Sequence, residues 1–312
     1  VLNYFKDDKI LITGASGLLG RHLFNYLKEQ GCNVVGVCNS KKQSDLLSYD
    51  LTSFEANKEL LAKEEPQYVF MLANKNFGAG VMSTTPEVLI RDNLAMNSNM
   101  LELCYHNNVK KVMFVSSSTV YQECDHPIME SELDLNQDPF GLYFGVAWVK
   151  RYTEKLCEFY SRRGLNINII RPVGIYGEYD KLGVGSHFLP AIAQRILDNP
   201  PYLEVWGDGK TFRNLIYAPD LVRDMLLVMV NYNNDYPMNI ASDTNVYVED
   251  VVNLLVKITG YKGDVLYNHS KPDALKYRTL DNSMFNEIIG KQEYTSLEEG
   301  LTNTVEWIKS VR

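Results

Sequence analysis

Short apolar runs recur through the first half of the chain, at residues 9–13, 33–38, 68–72, 112–116 and 166–171. Most are rich in β-forming residues and lack clean alternation of apolar and polar positions. That pattern fits parallel strands covered on both faces. Amphipathic stretches lie between them at residues 19–30, 53–63, 88–107 and 143–163, and are expected to be helices. The alternation of strand and helix predicts an α/β fold with a doubly wound parallel sheet.

The pattern changes after Arg171-Pro172. Gly174, Gly177, Gly183 and Gly185 mark an irregular stretch, followed by an expected helix at 189–197 and a turn at Trp206-Gly207-Asp208-Gly209. Helices are expected at 220–230, 248–259 (stopped by Gly260) and 297–309. The simplest division is a dinucleotide-binding unit at 1–172 and a smaller α/β substrate unit at 173–312, with their segments interleaved. No internal repeat or low-complexity linker is evident.

Composition narrows the function classes. Hydrophobic residues make up 45% and charged residues 22% of the 312 positions, ordinary for a globular protein. A net charge of −8 gives no reason to expect nucleic acid or an anionic membrane as partner, so an anionic substrate needs a local cluster of arginines or lysines. No apolar run reaches the roughly 20 residues of a membrane span, and the first residues lack a signal-peptide h-region. Cys32, Cys38, Cys104, Cys124 and Cys157 are scattered and form no CxxC pair, which reads as reduced thiols of a cytoplasmic protein. No metal site is assigned.

The most specific local signal is Thr13-Gly14-Ala15-Ser16-Gly17-Leu18-Leu19-Gly20, between the first strand and the first helix. Glycines 14, 17 and 20 permit a tight turn, approach of backbone to a pyrophosphate, and close helix–strand packing. The helix start supplies free N–H groups. Ser16 and Leu18 belong to the same loop. An NAD site usually carries an acid at the end of the second strand. Here that end reads Cys38-Asn39-Ser40-Lys41-Lys42. Asn39, Ser40 and Lys41 therefore favour NADP over NAD, with a solvated lysine loop as the alternative.

TGASGLLG, Leu72-Ala73-Asn74-Lys75, Asp92-Asn93, Ser116-Ser117-Ser118-Thr119-Val120-Tyr121 and Arg171-Pro172 together resemble the extended short-chain dehydrogenase/reductases, the NAD-dependent epimerase/dehydratase family. The likeness covers nearly the whole chain and is greatest to the branch that epimerises and reduces GDP-linked 4-keto-6-deoxyhexoses. Its C-terminal marks are 185–190 (GSHFLP), 205–209 (VWGDG) with Arg213, and Lys271-Pro272-Asp273 leading to Arg278 and Asp281. The resemblance implies that Asp50-Leu51 read the adenine and that Leu72 and Ala73 line the cofactor. It also implies that Arg195, Arg213 and Arg278 bind the nucleotide diphosphate beside Trp206 and Ser118, and that His187 faces the hexose. Arginine suits such a clamp because it offers bidentate hydrogen bonds; for any one of them the alternative is a surface or helix-end charge. Members of the family commonly pair two helices, here 88–107 and 143–163, into a homodimer, although the same apolar positions could belong to the monomer core.

Hydride chemistry at a sugar hydroxyl needs a group that gives and takes a proton. In this family it is a Tyr whose pKa is lowered by a Lys four residues later. Ser117, four residues before Tyr121, is the expected partner of the sugar oxygen, with Thr119 on the same face. Lys150 fits the lysine, but the residue four before it is Val146, which transfers no proton. Tyr143 lies seven residues before Lys150, about 4.5 Å beyond Val146 on a helix, and reaches the site only if the segment before Val146 is loop. The proton then comes from Tyr143, from His187 or from water. The branch also calls for Cys where Thr119 stands, so inversion by a Cys/His pair is not supported. The Asp-Glu pair of sugar dehydratases is absent after Thr119. The favoured reading is an NAD(P)-dependent reductase of a nucleotide-linked 4-keto hexose. A binding protein that has lost turnover, or an engineered Tyr-to-Val replacement at 146, is the alternative.

Overall fold

The computed structural model describes residues 2–39, 43–75, 86–270 and 275–312. Ser40 and Lys41, named above for the cofactor, and Lys271-Pro272-Asp273 lie outside the described residues.

Seven strands form one parallel sheet: β1 (Ile10–Thr13), β2 (Val34–Cys38), β3 (Leu47–Ser48), β4 (Tyr68–Met71), β5 (Lys111–Val115), β6 (Ile167–Pro172) and β10 (Met238–Ile240), in the order β10-β6-β5-β4-β1-β2-β3. The absence of alternation in the sequence has a direct cause. Successive side chains point to opposite faces, and both faces are covered. Ile10, Ile12, Phe70 and Met113 pack into one apolar layer with Leu23 and Leu27 of α1 (Leu18–Glu29) and Met225 of α6 (Ala218–Asn231). Leu11, Val69, Val112 and Phe114 pack into the other. That layer takes Leu60 and Leu61 from α2 (Phe54–Glu64), Leu101 and Cys104 from α3 (Pro86–His106), and Cys157 from α4 (Phe144–Ser161).

The expected helices form with ends shifted by one or two residues. Ser53 caps α2, its Oγ accepting from Ala56 N at 3.3 Å. Strand order reverses between β1 and β4, which lie side by side. Such a switch point opens a crevice at the carboxyl ends of the strands.

The remaining chain builds a second core. A small sheet joins β9 (Phe212–Tyr217) with β7 (Gly174–Tyr176), β11 (Asn245–Tyr247) and β13 (Tyr277–Arg278), and β8 (Tyr202–Trp206) pairs with β12 (Asp264–Asn268). Helices α5 (Phe188–Leu197), α7 (Val248–Thr259) and α9 (Leu297–Ser310) pack around them through Ile192, Ile196, Val251, Leu255, Val305 and Ile308. The chain returns to the large sheet beyond residue 172, through α6 and β10. These short strands, and α8 (Ser283–Ile288), were not expected from the sequence, because runs of two to six residues carry too little periodicity. Among the described residues no helix is long and apolar enough to cross a membrane.

Candidate active site

The glycine loop sits at the switch point. Gly14 has φ +68°, and a Cβ there would lie 2.8 Å from the backbone of Ala73 at the end of β4. A Cβ on Gly20 would lie 2.2 Å from Gly14 O. Gly17 differs, since its Cβ would meet only Gly14 O, at 3.5 Å. Two of the glycines are thus required by the turn itself, and the third leaves backbone open at the helix N-terminus, where a pyrophosphate approaches. Thr13 Oγ1 accepts from Leu72 N and Ala73 N, both at 3.1 Å, joining the loop to β4. Leu51 is buried, and exposed Asp50 accepts from Thr52 N and Oγ1. Ser16 and Leu18 are half-buried and Asn39 is exposed along the same crevice rim. These residues fit a dinucleotide.

A second cleft opens beside β5 and α4, lined by Ser118, Thr119, Tyr143 and Arg278 among others. Residues 141–143 form a single 3-10 turn that runs directly into α4 at Phe144, so the segment before Val146 is helical instead of loop, and Tyr143 stands at the N-cap with αR backbone. Tyr143 lines the cleft, with its ring centre 5.7 Å from that of Phe140. Arg278 Nε donates to Ser118 Oγ at 2.9 Å, and its guanidinium lies 5.3 Å from the centre of the Tyr143 ring. Ser117 caps the 3-10 turn 118–120, its Oγ accepting from Thr119 N at 3.2 Å. Lys150 Nζ donates to Val115 O at 2.7 Å and lies 4.7 Å from the Phe114 ring centre; burial pulls its pKa down to about 8. Ser117, Lys150 and His187 are not among the described residues lining this cleft.

The expected arginine cluster is brought together in part. Arg213 and Arg278 are register partners on β9 and β13, so both lie on one face of adjacent strands. Arg213 Nη1 donates to Leu275 O at 2.9 Å. Arg195 instead spends its guanidinium on Ala191 O and on Glu204 O, at 3.2 and 2.7 Å, spanning from α5 to β8. Trp206 is exposed at the end of β8. His187 Nδ1 sits 2.9 and 3.2 Å from the two carboxylate oxygens of buried Asp180. Burial pulls that imidazole down, but the Asp180 hydrogen bond and charge outweigh it and leave the pKa raised.

Two features escaped the sequence reading. Cys124 lines the same cleft, its thiol pushed up mainly by burial. Beneath the Ser117 turn lies a buried polar network. Glu154 accepts from Arg171 Nε and Nη2 at 3.0 and 2.7 Å and from Ser116 Oγ at 2.5 Å. Arg171 also donates to Tyr121 Oη at 2.8 Å, which donates in turn to Asn239 Oδ1 at 2.7 Å. It anchors the turn to α4, β6 and β10. Arg171-Pro172 was visible as a motif, but nothing in local spacing points to Glu154 as its partner.

A glycine-shaped switch point in a fully parallel sheet, joined to a cleft beside β5, defines a dinucleotide-binding α/β protein of the Rossmann type. The chain belongs to the NAD dependent epimerase/dehydratase family, whose model matches residues 10–241. It is 28% identical to a GDP-L-fucose synthase of Sinorhizobium fredii, over 97% of this chain and 96% of that protein. Among solved structures it is similar to a UDP-glucose 4-epimerase of Thermotoga maritima in complex with UDP-glucose (27% identity, 97% and 99% coverage, TM-score 0.87). It is also similar to a GDP-mannoheptose C4 reductase of Campylobacter jejuni with NADP bound (25% identity, 97% and 98% coverage, TM-score 0.83).

Proposed function

We propose that this chain is an NADP-dependent reductase acting at C4 of a nucleotide-linked 4-keto hexose, with GDP as the preferred nucleotide. The observation that carries this reading is the cleft holding Thr119, Ser118 and Tyr143 beside Arg278. It gathers hydroxyls for a sugar oxygen, a phenol for the proton and a cation for the diphosphate. Relatives that reduce or epimerise GDP-sugars support it. Thr119 in place of a thiol favours reduction without inversion.

A nicotinamide cofactor held at the glycine loop would supply the hydride. Thr119 orients the keto oxygen from the cleft, Ser117 braces that turn by accepting from the Thr119 N–H, and Tyr143 Oη delivers the proton to the oxygen as the alkoxide forms. Lys150, held on Val115 O, orients the nicotinamide ribose. Arg213 and Arg278 hold the diphosphate from one face of the small sheet. Following NADPH absorbance with GDP-, dTDP- and UDP-linked 4-keto sugars tests the proposal; turnover with none of them removes it.

Val146 favours a second reading, a protein that binds cofactor and nucleotide sugar without hydride transfer. Calorimetry showing both ligands bound, with no oxidation of NADPH, distinguishes it. For assembly we propose a homodimer through α3 and α4. Phe144, Tyr152 and Phe159 are exposed along one side of α4. Sedimentation at a monomer mass would count against it.

A further inference from the structure

We propose that Arg151 is a positioning residue for the reductase reaction, its buried guanidinium tying the serine turn after β5 to the segment that carries Tyr143. The inference rests on the reductase reading above. Arg151 itself is not among the described residues that line the cleft, so it acts through the two segments it joins.

Lys150, Arg151 and Glu154 share one side of α4, at helical spacings of three and four residues. All three reach the run 115–120 at the end of β5. Lys150 Nζ donates to Val115 O at 2.7 Å, Glu154 Oε1 accepts from Ser116 Oγ at 2.5 Å, and Arg151 Nε donates to Val120 O at 2.6 Å. Val120 closes the 3-10 turn 118–120, whose Ser118 and Thr119 line the cleft. The helix thus holds this run at its start and at its end. The second arm of Arg151 goes elsewhere. Its Nη1 donates to Gln137 O at 2.6 Å, just before Phe140, and Phe140 O accepts from Tyr143 N at 2.8 Å. Phe140 and Tyr143 line the same cleft.

Residues 135–138 are exposed and belong to no helix or strand. Two side chains of α4 hold them: Arg151 at Gln137 O, and Trp148, whose Nε1 donates to Asp138 Oδ1 at 3.1 Å. The Trp148 ring centre also lies 4.7 Å from the Arg151 guanidinium. Arg151 is 1% exposed, and its Nη2 finds no hydrogen-bond partner among the described residues. Burying a charge is costly, and an apolar side chain of similar volume would fill the same core. What arginine adds is a rigid planar fork that fixes two carbonyls from separate segments relative to each other. Those segments bring the hydroxyls and the phenol of the cleft. A shift of about 1 Å between them is enough to lower a rate on the order of a hundredfold.

The test compares R151M and R151K with the wild-type full chain by turnover of GDP-linked 4-keto sugars, by NADPH titration and by amide hydrogen exchange. Methionine keeps much of the volume and loses both bonds. R151M should lower kcat on the order of a hundredfold, while the Kd of NADPH at the glycine loop stays nearly unchanged. Amides of 118–121 and 137–143 should exchange faster together, with β1 and α1 as protected as in the wild type. R151K, which keeps a charged donor without the fork, should recover part of both losses. If both segments loosen and kcat holds, the cleft does not depend on the tie and the proposal is overturned. If exchange rises throughout the chain and NADPH affinity falls with kcat, Arg151 is a general core staple and the proposal is overturned as well. If the wild type turns over no sugar, the reductase reading fails and this role in it fails too; paired loosening in R151M would then show that the tie alone stands.

Discussion

The guanidinium of Arg278 lies 5.3 Å from the centre of the Tyr143 ring while its Nε donates to Ser118 at 2.9 Å. One cation from the small sheet thus touches both the phenol that precedes α4 and the serine turn that follows β5. The contact sets the ring of Tyr143 beside the serine turn, although Lys150, seven residues later, is not among the described residues that line this cleft.

Removing only the phenol oxygen tests that placement. Y143F should keep the fold and the contact with Arg278, yet lower kcat on the order of a hundredfold or more, as expected for a lost proton donor. Stopped-flow absorbance of NADPH reads the loss, and an unchanged kcat would move the proton to another group.

Burial pulls Lys150 from an ordinary 10.5 down to about 8. Its proton is lost as pH rises through about 8, so kcat/KM should fall there, and K150R should abolish that limb. Stability should respond with the opposite sign. Between about 8 and 10.5 the unfolded chain binds more protons at this lysine than the fold does, so its contribution to stability increases with pH. Urea midpoints across that window, in wild type and K150M, measure it.

The three glycines should separate by role. G20A places a Cβ 2.2 Å from Gly14 O and should cost folding. G17A meets nothing closer than 3.5 Å, so Tm should hold while NADPH affinity drops. Equal affinity in G17A would place the pyrophosphate elsewhere.

The ion pair of Glu154 and Arg171 is 6% and 3% exposed. E154A leaves Arg171 buried without its carboxylate and should destabilise the chain by about 3–5 kcal/mol in urea unfolding. A loss below about 1 kcal/mol, the worth of a surface pair, would show that the charges are solvated.

Asp180 keeps the His187 imidazole protonated to higher pH than usual. D180N should shift the His187 titration down, as read by NMR. With Tyr143 as proton donor, the pH profile of kcat/KM should not follow. A parallel shift would make His187 the donor.

The sequence by itself determined the elements that depend on neighbours along the chain. Burial on both faces of each strand left apolar runs without alternation at 9–13 and 166–171, and one helical period apiece marked α1 to α4. Gly14 and Gly20 were legible because a turn that excludes a Cβ admits few other residues. Strands such as Tyr277–Arg278 were not legible, since two residues hold no period. What only tertiary structure decided is which distant groups meet. Arg278 and Ser118 are 160 residues apart, Glu154 and Arg171 join across α4 and β6, and Arg195 turns to Glu204 while Arg213 and Arg278 align in register. Hydrogen bonds and ion pairs of this kind are set by how whole layers pack. Periodicity records which side of an element is buried, and it carries no information about the residue that waits on the other side.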